Sequence, residues 1–162
     1  MTSADYLEVD ADVFFNRKVD IIENGKPSFL FGRNQYHLPY FNLMEKIFDI
    51  GKVYPYSFIN ETMFFKRRIV NNFLDSFKID PKGFFELILN EVNQVNEMSG
   101  FSEYEFYGNY VTKYFRDSYN YKYLKTQLGG KYGYWSEDEI RQYVDHFKGT
   151  DYDLVSIHSW IQ

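Results

Sequence analysis

The sequence predicts an α/β fold, from three observations. Short apolar or aromatic runs alternate along the chain with longer amphipathic stretches of helical period. Capping residues stand just ahead of several of those stretches. No internal repeat, low-complexity segment or linker interrupts the alternation, so the 162 residues are expected to form a single domain over residues 1–162.

The front of the chain is read as β-rich. Tyr6 to Val9 is a short strand, Val13 to Phe15 a second extended piece, and Ser28 to Phe31 a third after an Asn24-Gly25-Lys26-Pro27 turn. From Tyr40 to Asp49 the apolar residues Phe41, Met44, Ile47 and Phe48 form a helical stripe that Gly51 closes. Met63 to Phe65 reads as a strand feeding a helix from Lys66 to Phe77. Asp80 as N-cap and Pro81 at the first helical position start a helix running to about Gln94. Ser102 with Glu105, and Ser136 with Glu139, are capping boxes that open two further helices, the second ending near Gly149. Leu154 to Ile157 is the final strand, followed by His158, Ser159 and Trp160.

Composition narrows the functional classes. Eighteen Lys and Arg against 23 Asp and Glu leave a formal charge of −5, which argues against a general grip on nucleic acid or an anionic membrane. The stretch YVTKYFRDSYNYKYLKTQLGGKYGYW interleaves cations with tyrosines as single-strand binders do, but the overall acidity counts against that reading. No apolar run approaches the roughly 18 to 20 residues of a membrane span, and the first residues lack a signal-peptide core, so a cytoplasmic location is expected. The absence of cysteine removes thiolate metal sites and cysteine nucleophiles. Aromatic residues make 22% of the chain, with 17 Phe, 16 Tyr and 2 Trp. That content suits either a wet cleft in which rings stack on sugars, or a core built from aromatic side chains.

The segment YLEVDADVFF places Asp10 and Asp12 where a strand runs out. Ligands of open α/β sheets bind beyond the carboxyl ends of strands, and two carboxylates one residue apart can hold a hard divalent ion while leaving positions for phosphate oxygens. Aspartates also cap turns at such junctions, so the pair alone does not decide.

The surrounding residues add a resemblance. YLEVDADVFFNRKVD resembles the metal-binding segment of GT-A-fold glycosyltransferases. FGRNQYHLPYFNLMEKIF, SFINETMFFKRRIVNNFL and SGFSEYEFYGNYV are similar to successive blocks of a glycosyltransferase-like family of that fold, so the resemblance covers about residues 5–115. It implies a GT-A-like mixed sheet flanked by helices, and transfer of a sugar from a nucleotide-sugar donor to a glycan or other hydroxyl acceptor. A non-catalytic carbohydrate- or protein-binding remnant of the same fold is the alternative. It implies Mn2+ or Mg2+ on Asp10 and Asp12, with His158 completing the shell. Such domains place their nucleotide-binding half ahead of this strand, whereas nine residues precede Asp10 here. The chain is therefore expected to lack most of that half, as a truncated gene, a fragment, or half of a site completed by self-association or a partner chain.

The remaining candidates follow from position. Glu103 is the freer carboxylate of SEYE and the first candidate base, while Glu105 serves the capping box or binds sugar hydroxyls. Asn60 and Glu61 precede the apolar MFF run, at a cleft edge or a plain turn, with Glu61 the second candidate catalytic carboxylate. His37 and Tyr40 suit an acceptor-binding loop or a helix entry, and Trp160 joins the substrate contacts.

Overall fold

The computed structural model describes residues 4–32, 36–92, 99–130 and 133–158. Among them the chain is mixed α/β, with five α-helices and eight strands in three small sheets. Strands β1 (Tyr6–Val9) and β5 (Thr62–Phe65) form an antiparallel pair. Strand β8 (Leu154–His158) runs antiparallel to β2 (Val13–Phe15) and parallel to β7 (Thr126–Gly130). Strand β4 (Lys26–Phe31) likewise lies between antiparallel β3 (Ile22–Glu23) and parallel β6 (Asn120–Tyr123). The β3–β4 hairpin turns through Asn24 at φ 53° and Gly25 at φ 74°, the left-handed pair that an Asn-Gly turn supplies.

The helices follow their capping signals. Helix α1 (Leu38–Phe48) stops when Asp49 adopts φ 52° and its N–H returns to the Glu45 carbonyl, two residues before the expected Gly51. Helix α2 (Arg67–Ser76) follows β5 after a single residue. Helix α3 (Pro81–Val92) is capped by the Asp80 carboxylate, which accepts from Gly83 N–H at 2.7 Å; its expected extension to Gln94 lies outside the described residues. Helix α5 (Glu137–Phe147) opens on a complete capping box between Ser136 and Glu139.

Helix α4 (Glu103–Tyr114) organises the interior: every residue from Tyr104 to Thr112 is buried. At its middle the absence of a side chain on Gly108 makes room for the Phe58 ring, since a Cβ there would lie 2.1 Å from Phe58 Cγ. Around this helix the main core gathers Phe29, Met44, Phe48, Phe58, Ile69 and Phe73. Much of the aromatic content goes into this core, as in the stacked pair Phe29–Tyr119, with centroids 4.2 Å apart and planes 11° apart. Buried tyrosines pair their hydroxyls: Lys66 N–H donates to Tyr107 Oη, which meets Tyr119 Oη at 2.7 Å, and Tyr119 donates to the Phe64 carbonyl. Burial pushes the Tyr107 phenol up to about 12. A smaller cluster of Leu30, Leu124 and Leu154 lies under β4 and β8. Among the described residues no helix is long and apolar enough to cross a membrane.

Candidate functional site

Asp10, Ala11 and Asp12 form the turn that joins two of the sheets. The Asp10 N–H donates to the Glu61 carbonyl at 2.9 Å, extending the β1–β5 ladder by one residue. The Asp12 carbonyl accepts from Ile157 N–H at 3.0 Å, one step ahead of the Val13–Ser156 pair of β2 and β8. Both carboxylates are thereby held at a seam between sheets, and each sheet brings its own polar neighbours.

From the β8 side come Ser156 and His158, which share a strand face because side chains two apart point the same way. His158 Nδ1 stands 3.0 Å from Asp12 Oδ2, although 146 residues separate them in sequence. A carboxylate oxygen only accepts, so Nδ1 carries the proton of that contact. Nε2 in turn lies 3.3 Å from Ser156 Oγ, whose hydroxyl is within 3.4 Å of Glu61 Oε1. Asp12, His158, Ser156 and Glu61 thus form one line of polar contacts across the seam.

From the other side come Glu8, Glu103 and Tyr104. Partial burial raises the Asp10 carboxyl above the usual carboxylate range, and the charges of Asp12, Glu61 and Glu103 push it the same way. Glu8 is raised for the same reasons, by burial first and then by Glu103 and Asp10. The buried Tyr104 oxygen faces Asp10 closely enough to favour its charged form without closing a well-formed hydrogen bond. Burial, reinforced by the Asp10, Glu8 and Glu103 charges, pushes the Tyr104 phenol far up. Beyond Glu8 and Glu103 opens an apolar cleft of about 270 Å³ walled by Tyr6, Phe65, Phe84 and Phe101.

Other expected site residues have different placements. Glu105 does not turn back to the Ser102 backbone, and only the Ser102 hydroxyl half of that capping box forms. Its carboxylate is buried, accepting from Ser57 Oγ at 2.5 Å, Phe58 N–H at 3.1 Å and Asn109 Nδ2 at 3.1 Å. Asn60 is buried too, with Nδ2 donating to the Leu30 carbonyl at 2.6 Å, and so ties β5 to β4 instead of edging a cleft. His37 Nε2 meets the Ser99 carbonyl at 2.8 Å and Tyr40 Oη meets Ser99 Oγ at 2.6 Å, which pins the start of α1 to that loop. Trp160 lies outside the described residues. Sequence reading passed over Glu8, Tyr104 and Ser156. Glu8 and Ser156 could have been found from the two-residue strand period, which puts them beside Asp10 and His158. Tyr104 carried no such signal.

A hard cation suits this seam in the kind of donor present, oxygen from carboxylates and one imidazole nitrogen, and in the mutual repulsion of those carboxylates. Among the described residues, however, no three of the groups are gathered closely enough to grip one ion as they stand. In comparisons with protein families, curated proteins and solved structures, no significant match was found.

Proposed function

We propose that the seam at Asp10 and Asp12 binds Mn2+ or Mg2+ and that the protein is a glycosyltransferase-like, metal-dependent enzyme taking a nucleotide-sugar donor and a hydroxyl acceptor. The observation that supports this best is the meeting of His158 with Asp12 across nearly the whole chain, beside an Asp10 that Asp12, Glu61 and Glu103 surround with negative charge. Asp10 and Asp12 would hold the ion, with His158 joining them through Nδ1, the nitrogen that faces Asp12, once that nitrogen gives up its proton. The ion supplies neutralisation of the charge that develops on a departing diphosphate. Glu61 orients the line through Ser156, and Glu103, exposed at the first turn of α4, is the group placed to take the acceptor hydroxyl proton.

Two other readings have a specific basis. The order Ser156, His158, Asp12 is that of a serine hydrolase triad, but Ser156 is 1% exposed and its hydroxyl donates to Glu61 at 3.4 Å, so no substrate carbonyl can reach it. A carbohydrate-binding remnant without catalysis would keep the cleft and lose the ion.

Calorimetric titration with Mn2+ separates these readings. Binding should be abolished in Asp10→Ala/Asp12→Ala and weakened by about tenfold or more in His158→Ala. A double variant that binds Mn2+ as the parent does would end the proposal. With Mn2+ present, a panel of nucleotide-sugars read for released nucleoside diphosphate then tests transfer itself.

A further inference from the structure

Asp12 also borders a second cleft, of about 320 Å³, between the β2–β8 sheet and the segment that leads into α5. Asp12 forms its polar corner and Phe14 and Ile157 part of its floor, while Tyr134 and Trp135 stand along one wall. The Tyr134 ring is 86% exposed, a large apolar face held in water. Trp135 is half-buried and fixed at its edges: Nε1–H points to the His158 carbonyl at 3.4 Å, and Tyr143 meets the ring edge-to-face at 5.6 Å. Tyr143 lies in turn on Gly129 of β7, where a Cβ would come within 1.8 Å of its hydroxyl oxygen. The wall is therefore braced from the sheet, so the indole is presented in a fixed orientation.

The chemistry of this lining is specific. Aromatic faces cover the C–H face of a pyranose, and a carboxylate accepts from two neighbouring sugar hydroxyls. Among the described residues no lysine or arginine lines the cleft, and Asp12 gives it negative charge, which disfavours a phosphorylated or uronic sugar. We infer that this cleft is a saccharide subsite that takes a neutral or amino hexose of the glycan acceptor, stacked on Tyr134 and Trp135 with its hydroxyls toward Asp12. It rests on the transferase reading for the role of acceptor; the binding itself needs neither metal nor donor.

Saturation-transfer NMR without metal or nucleotide tests the subsite, using cellotriose, maltotriose and chitotriose as neutral and amino probes and trigalacturonate as the acidic one. At least one neutral or amino trisaccharide should bind and shift the Trp135 indole resonance, with trigalacturonate bound about tenfold more weakly or not at all. Tyr134→Ala removes an exposed ring and leaves the core untouched, and should weaken binding by about fivefold to tenfold. Trp135→Phe should lower it further. Absence of binding by all neutral probes, preference for trigalacturonate, or unchanged binding in Tyr134→Ala would each overturn the subsite. Run beside the Mn2+ titration, the result assigns failure: metal binding without saccharide binding removes the subsite alone, and saccharide binding without metal removes the transferase reading and keeps the subsite.

Discussion

Asp10 and Asp153 are acids of the same intrinsic strength that the fold treats in opposite ways. Raised by partial burial and by its acidic neighbours, Asp10 opposes folding in its charged form. Its protonated form suits the fold, so the stability it allows is present at low pH and is lost as pH rises through the folded pKa. Asp10→Asn should therefore raise the melting temperature at neutral pH, and the gain should vanish at about pH 3, below the ordinary carboxylate range. Asp153 also feels partial burial, but Arg17 at 2.6 Å and the Lys125 N–H at 2.8 Å hold it below the usual range. Asp153→Asn should cost stability at neutral pH, and the loss should shrink as pH falls toward the folded pKa. Thermal melts across pH check both signs, and Mn2+ should raise the neutral-pH melting point of the parent but not of Asp10→Ala/Asp12→Ala. Glu105 is a third case: Glu105→Ala would leave the donors of Ser57, Phe58 and Asn109 unpaired in the interior, at a cost of about 3 kcal/mol or more in denaturant unfolding. Its burial was not legible from SEYE, because a capping box and a buried carboxylate place the same residue types at the same spacing. Only the tertiary position of Ser57 and Asn109 separates the two.

Among the elements, those with an apolar period or a capping residue were legible. Strands β1, β2, β5 and β8, most of β4 and all five helices lie where such signals stand, within about two residues at the ends that were expected and are described. Strands β3, β6 and β7 were not, for reasons visible in their residues. Strand β3 has two residues, β6 reads NYKY with partly exposed polar positions, and β7 reads TQLGG, poor in β-formers. What makes β7 a strand is its parallel pairing with β8 and the space that Gly129 leaves for Tyr143, neither of which is local. Glycine is thus fixed by contact at both Gly129 and Gly108. Gly108→Ala raises helix propensity by about 1 kcal/mol, yet drives a methyl into the Phe58 ring. A net loss of about 1 to 3 kcal/mol is expected from denaturant unfolding, against the propensity gain.

Across the whole molecule, one feature of the surface follows from the arrangement of the three sheets. Among the described residues β1 pairs only with β5, and its apolar side chains Tyr6, Leu7 and Val9 are each 38–39% exposed. Edge strands carrying apolar residues on both faces favour pairing with another chain. Sedimentation should show association that grows with concentration, and Leu7→Lys should reduce it without unfolding the protein. The candidate site was legible in part for a related reason. The two aspartates and His158 are conspicuous by type at strand ends, so they could be named, but Glu8 and Ser156 became visible only when β1 and β8 were seen to approach the same turn.

The pairing of β2 with β8 also sets an order in time. As the chain is synthesised, Asp10, Asp12 and Glu61 emerge early, and the main core around α4 draws on residues up to Tyr119. The line from Asp12 to Ser156 cannot close until His158 has been made, 146 residues after Asp12. All the buried residues of the main core are thus made before the imidazole that the seam's carboxylates meet. A chain halted at Thr150 would contain the residues of every described α-helix and of the β1–β5 pair, yet would lack the strand that joins β2 to β7.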